Sequence, residues 1–579
     1  MSFSRRAGGA LAVAVSAALV LSACGSTSGT PEAKPSDAGS KPAASNATVT
    51  FAFDQEISSY NGNTPEDYST KNHIITQLVQ SDMWKYSKSG GVEPNTDMGS
   101  YEKVSDSPLT VKYTFNPNAA WSDGKAIGCT DVLFKWAVAS GEFPEFSYIS
   151  TDPWDKIEMP SCKPGDKEIT LKYSKTYADW AGTSVVDMPP HVVAEQGGLT
   201  VDEMLAAIQA KDHAKLKKAA EFYNKGWIFN GKLPDAKLIP SSGPFQFESF
   251  AAGQNVTLVP NPNYWGEKAK IGKLVVRQIS GPEQVQALQN GEVNIIEPQA
   301  NADVLTQVQG LPGVKVETGS QFLYDHLDFN FNKGVMKDAK VRQAFALCVP
   351  RQQIVDNLVK PQDPNAVVMQ ARNVAPFQEN YADTVAGIGT HGYENVDLEK
   401  AKSLLAEAGQ SGKVKVKVGY IQPNPRRAQT VELIKASCDQ AGFEVVDSGS
   451  EKFFDPAGAL ATGDFDVALF GWAGSALVSG WPAAYKTPTA CTAEKKSNNK
   501  GCYSNPEVDK LLDQIVSETD LAKQKQLTIE VEKLLWKDVA TIPLFSHPRM
   551  TAWSENITGV TPNPTQASVT LSAPQWAVN

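Results

Sequence analysis

The feature that most constrains the fold of this chain is a mixture of short strand patterns and amphipathic helix patterns along its length. Strand patterns are short alternating or apolar runs such as TVTFAF (48–53) and LTVKYTF (109–115). Helix patterns such as DLEKAKSLLAEAG (397–409) carry apolar residues at helical spacing, with Asp397 as the predicted N-cap and glycine at the end. The longest helical region is predicted over 506–539. This mixture predicts an α/β fold.

The N-terminal residues predict export and a lipid anchor. Two arginines precede an apolar run, residues 7–21, which is too short to span a membrane and is typical of a signal peptide. The sequence Leu-Ser-Ala-Cys that ends at Cys24 resembles the bacterial lipobox, where the signal is cut before the cysteine and the thiol is diacylated. We therefore expect a signal peptide over 1–23 and, over 24–47, a lipidated Cys24 followed by a flexible tether. This places the protein at the outer face of the cell membrane.

Composition and charge limit the class of protein. Hydrophobic residues make up 41% of the 579 residues and charged residues 20%, as in ordinary globular proteins. This length predicts about three or four domains, or two large lobes. The formal net charge is −10, and no block of Lys and Arg stands out, which argues against nucleic acid as a partner.

The cysteines predict disulfide bonds. Six remain after Cys24 is set aside, and an even number in an exported chain favours disulfides. Among the fifteen pairings that six cysteines allow, we favour Cys129–Cys162, Cys348–Cys438 and Cys491–Cys502. The first and third of these pairs bracket polar loops. A zinc site is not predicted, because no CxxC or Cys/His cluster has ligand spacing.

Enzyme and cofactor signatures are weak. The sequence GIGTHG (387–392) matches the dinucleotide fingerprint, but that motif must follow a strand and open a helix, and neither flank has the required pattern. We interpret it as a glycine-rich loop. No Walker loop, HExxH or GxSxG motif occurs, and the six histidines are scattered, so we expect no catalysis, no metal and no cofactor.

Five segments in order carry a family resemblance. They include WSDG, the turn between a strand and a helix, and NPNYWG, which follows a Gly-Pro-aromatic turn. The segments are 109–136, 241–279, 291–298, 327–358 and 396–409. Together they resemble the solute-binding proteins of ABC importers, in the peptide and nickel class, from about residue 48 to the C-terminus.

This resemblance implies a type II periplasmic-binding-protein fold, with two hinged lobes and the extra subdomain of the large peptide-binding class. The implied parts are lobe I at 48–321, its extra subdomain at about 76–224, lobe II at 322–544, and a C-terminal return to lobe I at 545–579. The chain would cross between lobes near residues 321–323 and 544–545, and the lobes would close over a ligand. The protein is expected to be a monomer.

The resemblance also indicates a ligand-binding loop at FGWAGS (470–475). In peptide-binding relatives the tryptophan of this loop lines a pocket, and an aspartate three residues later holds the α-ammonium group of the peptide. Here the tryptophan is Trp472, but the aspartate position is Ser475. Because a hydroxyl cannot compensate a buried charge, either another acid meets the amine or the ligand lacks a free amine.

Further residues are expected in the cleft, either because the corresponding positions of relatives line it or because their aromatic rings could form its apolar surface. Glu56 is a candidate for the missing acid. The remaining candidates are Tyr60, Asn61 and Asn63 after the first strand, Tyr148, Trp481 and Tyr485.

The sequence therefore predicts a lipid-anchored receptor that captures a peptide or peptide-like solute and delivers it to an ABC permease. Two alternatives remain open at this point. The same fold could bind a glycan, a metal chelate or haem, or the protein could be a cell-envelope regulator that has lost its role in transport.

Overall fold

The structure, a computed structural model, describes residues 46–67, 69–455, 457–491 and 498–579. The predicted signal peptide, Cys24 and all but the last two residues of the predicted tether lie outside this part of the chain. The strands are β1 (Thr48–Phe53), β2 (Trp84–Tyr86), β3 (Val92–Pro94), β4 (Gly99–Asp106), β5 (Leu109–Phe115), β6 (Glu168–Lys172), β7 (Phe245–Ala251), β8 (Asn255–Pro260), β9 (Lys273–Gln278), β10 (Ile295–Ile296), β11 (Val314–Phe329), β12 (Val414–Gly419), β13 (Phe443–Asp447), β14 (Val467–Ala473), β15 (Thr541–Ser554), β16 (Ile557–Thr558) and β17 (Ala577–Val578).

The helices are α1 (Thr70–Thr76), α2 (Cys129–Ala139), α3 (Pro190–Gly197), α4 (Val201–Gln209), α5 (His213–Lys225), α6 (Gly281–Gln289), α7 (Ala302–Gln309), α8 (Ala339–Cys348), α9 (Arg351–Leu358), α10 (Tyr381–Ile388), α11 (Leu398–Glu407), α12 (Pro425–Cys438), α13 (Ala459–Thr462), α14 (Trp481–Tyr485), α15 (Pro506–Ile515) and α16 (Leu521–Lys537). Within the described ranges, no helix is long and apolar enough to cross a membrane.

The largest sheet of the described chain has ten strands in the order β13-β12-β14-β11-β15-β10-β1-β9-β8-β7. β1 pairs in parallel with β9 and with β10, and β12 pairs in parallel with β13 and with β14. β11 pairs antiparallel with β14 and with β15. Parallel neighbours connected through helices confirm the predicted α/β class.

The two long central strands join different parts of the core. The first half of β11, from Val314, pairs with β15 alone, and its second half, from Leu323, lies between β14 and β15. The register shifts between the pairs formed by Ser320 and Tyr324. One large hydrophobic cluster is built mainly from residues before the first half of β11, and another from residues between Leu327 and Phe545. The register shift in β11 therefore lies at the boundary between the two hydrophobic clusters.

A smaller antiparallel sheet, β4-β5-β6, and helices α2 to α5 build the region that carries one wall of the candidate site. α2 is almost wholly buried. The Asp131 carboxylate in its first turn accepts hydrogen bonds from the Gly128 N–H and from Trp121 Nε1, both at 2.9 Å. Asp131 thereby ties the WSDG turn to the start of this helix.

All three predicted disulfides are confirmed: Cys129–Cys162, Cys348–Cys438 and Cys491–Cys502. The prediction of one helical region over 506–539 needs a correction, because the structure forms α15 and α16 with a break between them. The Asp520 carboxylate accepts hydrogen bonds from the Ala522 and Lys523 N–H groups and starts a second helix.

Candidate ligand-binding site

A cavity of about 750 Å³ is lined by segments that lie far apart in the sequence. Its wall includes Asn63 after β1, Tyr148 after α2 and Ser475 after β14. Other parts of the wall come from residues between Thr76 and Asp97 and from the C-terminal segment 561–575. This volume is in the range of small-molecule sites. Three of the residues predicted from sequence are thus brought together around one cavity.

Trp472 lies at the end of β14, beside that wall. The antiparallel register with β11 sets it opposite Tyr324. Its ring is partly buried and lies 5.7 Å from the Phe470 ring and 6.0 Å from the His326 ring, in a stacked geometry with the latter. The cavity wall includes the next residue, Ala473, rather than Trp472 itself. A direct contact between Trp472 and ligand stays a prediction.

The backbone of the turn after β14 packs closely against β11. The Gly474 N–H donates to the Phe322 carbonyl at 3.1 Å. A Cβ atom on Gly474 would lie 2.6 Å from that oxygen, so only glycine fits here. Ser475 follows in the cavity wall, and its Oγ accepts a hydrogen bond from the Leu477 N–H at 2.8 Å. The hydroxyl therefore stabilises the turn.

Asp179, which follows β6, holds the next part of this loop. One carboxylate oxygen accepts from the Val478 N–H at 3.2 Å, and the other accepts from the Ser479 N–H at 2.7 Å. The Leu477 side chain lies against Gly182, where an added Cβ would be 3.2 Å away. Burial raises the pKa of Asp179 even though these hydrogen bonds oppose the shift. This carboxylate connects two segments that are about 300 residues apart.

A buried charged network lies behind the cavity wall. Lys135 in α2 and Asp187 are 2% and 7% exposed, and Lys135 Nζ lies 3.3 Å from Asp187 Oδ2. Lys135 Nζ also donates to the Tyr148 hydroxyl, and Asn63 Nδ2 donates to Asp187 Oδ1. The Tyr223 hydroxyl donates to Asp187 Oδ2 at 3.3 Å. Two cavity residues, Asn63 and Tyr148, are therefore held from behind by an ion pair.

Asp82 contributes a carboxylate to the same wall. Its Oδ1 accepts N–H groups of Met83 at 2.7 Å, Val185 at 3.1 Å and Val186 at 3.3 Å. Burial raises the pKa of Asp82, opposed by hydrogen bonds from Ser184, Val185 and Met83 and by the charge of Lys135. The hydrogen bonds and the charge of Lys135 thus offset only part of the cost of burying the Asp82 carboxylate in its ionised form.

Two other predicted residues are enclosed in the protein. Tyr60 is 0% exposed, and its hydroxyl donates to the Pro240 carbonyl. Asn61 is 2% exposed, and its Nδ2 donates to the Tyr223 carbonyl at 3.0 Å. The structure does not bring either side chain to the cavity surface, because both are used to join the loop after β1 to α5 and to the segment before β7.

Glu56, Trp481 and Tyr485 also lie away from the cavity wall. A Glu56 carboxylate oxygen accepts from the Gly253 N–H, beside a separate small pocket. Trp481 is partly buried against the cluster formed by α14, α15 and α16. Tyr485 is 3% exposed and shares a hydrogen bond of 2.8 Å with the Tyr324 hydroxyl.

A second buried ionic cluster lies on β11, β15 and the first turn of α12. Asp325 Oδ1 lies 2.9 Å from Arg427 Nη2 and 3.0 Å from His547 Nε2. Arg426 Nη2 approaches Asp325 Oδ2 at 3.5 Å. Burial alone would raise the pKa of Asp325, but His547 and the two arginines outweigh it and hold that pKa well below its usual range. Burial, assisted by Arg426, lowers the pKa of His547 to about 4.

The GIGTHG segment does not have the local structure of a dinucleotide-binding motif. A helix, α10, leads into GIGTHG where a dinucleotide site would need a strand. In the described part of the chain, no three His, Cys, Asp or Glu side chains are grouped as a metal site would require.

Sequence reasoning missed Asp82, Lys135, Asp179 and Asp187. For Lys135 a signal was present, since a single lysine stands in the otherwise apolar run VLFKWAVA (132–139) and a buried lysine needs a partner. No local pattern distinguishes the three aspartates from other acidic residues. Their positions follow from tertiary packing.

The two cores, the long strands between them and the shared cavity define a class: the two-lobed type II solute-binding fold. The solved structure of the periplasmic EDTA-binding protein EppA has a TM-score of 0.80 with this chain at 23% identity, covering 92% of this chain and 97% of that one. The model of bacterial extracellular solute-binding proteins, family 5 Middle, matches residues 84–487. The chain belongs to this family, which serves ABC import outside the cytoplasm.

Two relatives extend the comparison. A lipoprotein of Mycobacterium leprae (strain TN) is 27% identical over 546 residues, covering 92% of this chain and 93% of the relative. The oligopeptide-binding protein OppA of Mycobacterium tuberculosis (strain ATCC 25618 / H37Rv) is 24% identical over 465 residues, covering 78% of this chain and 71% of the relative.

Proposed function

We propose that this protein is a lipid-anchored receptor that captures a peptide or peptide-like solute between two closing lobes and delivers it to an ABC permease. The observation that carries the proposal is the cavity of about 750 Å³, whose wall combines Asn63 and Tyr148 with Ser475. With lobe boundaries at about 321 and 544, the first two residues belong to lobe I and the third to lobe II. A solute in this cavity would contact both lobes.

Closure is supported by two features. The register shift in β11 between Ser320 and Tyr324 coincides with the proposed crossing between lobes, where a small backbone change can act as a hinge. The hydrogen bonds from Val478 and Ser479 to Asp179 would join lobe II to lobe I. Such bonds can exist only when the lobes are together, so they favour the closed state.

The charges of the cavity favour a peptide over a polyanionic chelate. The ionisable carboxylates and amines in its wall are Asp82, Glu93, Asp97, Glu267, Lys85 and Lys88. Carboxylates outnumber amines, and Lys85 already pairs with Glu93 at 3.6 Å. A ligand with several carboxylates would meet net repulsion here, whereas an ammonium group would be attracted.

Asp82 is our proposed partner for a ligand ammonium group, since residue 475 is not acidic. Burial raises the pKa of Asp82, so a cation beside it would stabilise its ionised form. Asp82 and Ser475 line the same cavity. A carboxylate on the lobe I side of the cleft would then take the place of the lobe II aspartate that the family resemblance led us to expect.

Native mass spectrometry of the protein, purified without unfolding, tests the proposed solute. We expect a series of peptide masses to be retained. A single non-peptide mass would instead favour a receptor for another solute, and the absence of any ligand together with no change of shape on adding peptides would favour a regulatory protein.

Two substitutions test how an amine is recognised. Asp82→Asn should weaken binding of peptides with a free N-terminus and leave N-acetylated peptides little affected. Ser475→Asp should strengthen binding of the free peptides, because its carboxylate can pair with the ammonium group of the peptide. The same carboxylate can still accept the Leu477 N–H that Ser475 now binds, so the turn is kept. Isothermal titration calorimetry with matched free and acetylated peptides would show the difference, and equal effects on both forms would contradict this assignment.

The lipid anchor is supported by the Leu-Ser-Ala-Cys sequence at 21–24 and by the relatives that are named lipoproteins. Cys24→Ser is expected to release the protein from the membrane fraction and to prevent labelling by a palmitate analogue. Continued labelling of this variant would contradict anchoring at Cys24.

A further inference from the structure

The buried ion pair behind the cavity constrains which hydrogen-bonding atoms the cavity can offer to a ligand. Lys135 Nζ has only hydrogens to donate, and it donates to the Tyr148 hydroxyl oxygen. That oxygen is therefore used as an acceptor on the Lys135 side. The hydroxyl hydrogen must be directed elsewhere, and Tyr148 is in the cavity wall.

The protonation states of both groups are well defined at neutral pH. Burial alone would lower the pKa of Lys135, but Asp187 and Tyr148 outweigh it and raise that pKa. Burial raises the pKa of Tyr148 to about 12, with Lys135 acting in the opposite direction. The lysine is thus an ammonium group and the tyrosine a neutral hydroxyl.

The other half of the ion pair orients Asn63. An ionised Asp187 can only accept hydrogen bonds, and its Oδ1 takes one from Asn63 Nδ2. The reverse orientation of this carboxamide would set its oxygen against a carboxylate, so the amide cannot rotate without losing a charge-assisted bond. No hydrogen bond among the described residues engages Asn63 Oδ1, which leaves this oxygen available as an acceptor in a residue that also lines the cavity.

We propose that the Lys135–Asp187 pair acts as a positioning device that fixes Tyr148 as a donor and Asn63 as an acceptor toward the main chain of one residue of the ligand. The donor would meet the C=O of that residue and the acceptor its N–H, because these two groups point to the same side of an extended chain. This inference rests on the proposed function and deepens it, because the fixed pattern explains recognition of backbone rather than of a particular side chain. Lys135 and Asp187 do not touch the ligand in this arrangement.

The test uses the full-length mature protein and alanine oligomers of increasing length, with affinities from calorimetry. For the oligomer that the wild type binds best, Tyr148→Phe should weaken binding about 3- to 10-fold. Lys135→Gln should weaken it by a similar factor, since a glutamine can accept the hydroxyl hydrogen and release Tyr148 from its fixed orientation. Lys135→Arg, which can only donate, should retain most of the affinity.

A double variant separates positioning from general destabilisation. If Lys135 acts through Tyr148, then Lys135→Gln combined with Tyr148→Phe should bind no more weakly than Tyr148→Phe alone. Replacing each peptide bond of the oligomer in turn by an ester, which removes N–H and weakens C=O as an acceptor, should identify one position where Tyr148→Phe has a smaller effect than it has with the all-amide oligomer. This ester series remains informative even if a Lys135 variant fails to fold.

The outcomes distinguish this inference from the function on which it rests. Wild-type affinity in Tyr148→Phe, or additive losses in the double variant, would overturn the positioning role while peptide binding stands. If the wild-type protein binds none of the oligomers, both the inference and the proposed peptide ligand are overturned.

Discussion

Replacing Asp179 with alanine is expected to weaken ligand binding by opening the closed state. The substitution removes the acceptor of the Val478 N–H bond at 3.2 Å and of the Ser479 N–H bond at 2.7 Å. Hydrogen bonds to a charged group contribute about 1.5–3 kcal/mol each in favourable cases. Burial raises the pKa of Asp179, which shows that its desolvation cost exceeds the effect of these bonds on its charged form. We therefore expect a total loss near the lower limit, about 1.5–2 kcal/mol, or about 10- to 30-fold in affinity.

Calorimetry on the ligand identified by native mass spectrometry measures this loss. Asp179→Asn should lose less, because its amide oxygen can still accept one of the two N–H groups. Asp155→Ala is a matched control, since Asp155 is 45% exposed, pairs with Lys156 at 3.1 Å and does not contact the loop after β14. Unchanged affinity in Asp179→Ala would refute the idea that this contact stabilises the closed, ligand-bound state.

Three further outcomes follow from particular contacts. Trp472→Ala should weaken ligand binding by more than about 1 kcal/mol in calorimetry, whereas Trp472→Phe should retain most of the affinity; equal affinity in all three proteins would contradict its place in the cleft. The pKa of His547 is about 4 in the folded protein, below the ordinary value of 6.5 for histidine, so the unfolded chain binds more protons between these values and stability falls as pH decreases from 6.5 to 4. His547→Gln should remove about 3 kcal/mol of this dependence in urea unfolding, and the exposed-site control His213→Gln should not. Removing the Cys348–Cys438 bridge, with a separation of 90 residues, should cost about 4.5 kcal/mol in calorimetric unfolding, more than removing the bridge with a separation of 11 residues; the opposite order would contradict the loop-entropy account.

Local patterns predicted much of the fold because they report local physics. TVTFAF forms β1 at Thr48, where the composition changes from small and polar to apolar. Asp397 caps α11 through a hydrogen bond from the Lys400 N–H at 2.9 Å, as its position before the apolar pattern predicted. The break between α15 and α16 was missed because the apolar spacing continues across it. Its signal was Asp520, a strong N-cap residue in the middle of the predicted helix.

The site was less predictable because it depends on packing between distant segments. Asn63, Tyr148 and Ser475 were predicted through family resemblance, and they line one cavity. Tyr60, from the same loop as Asn63, is directed into the core, and no local pattern separates these two polar neighbours. Asp179 could not be found from its own surroundings either, since its partners are backbone N–H groups in a loop about 300 residues away.

Small-angle X-ray scattering, with and without the ligand found by native mass spectrometry, tests most directly whether two lobes close over a solute. We predict that adding this ligand to stripped protein decreases the radius of gyration and that Asp179→Ala requires more ligand to reach the same decrease. Scattering that stays unchanged while calorimetry shows the ligand to be bound would contradict closure and, with it, the proposed way in which the cavity holds its solute.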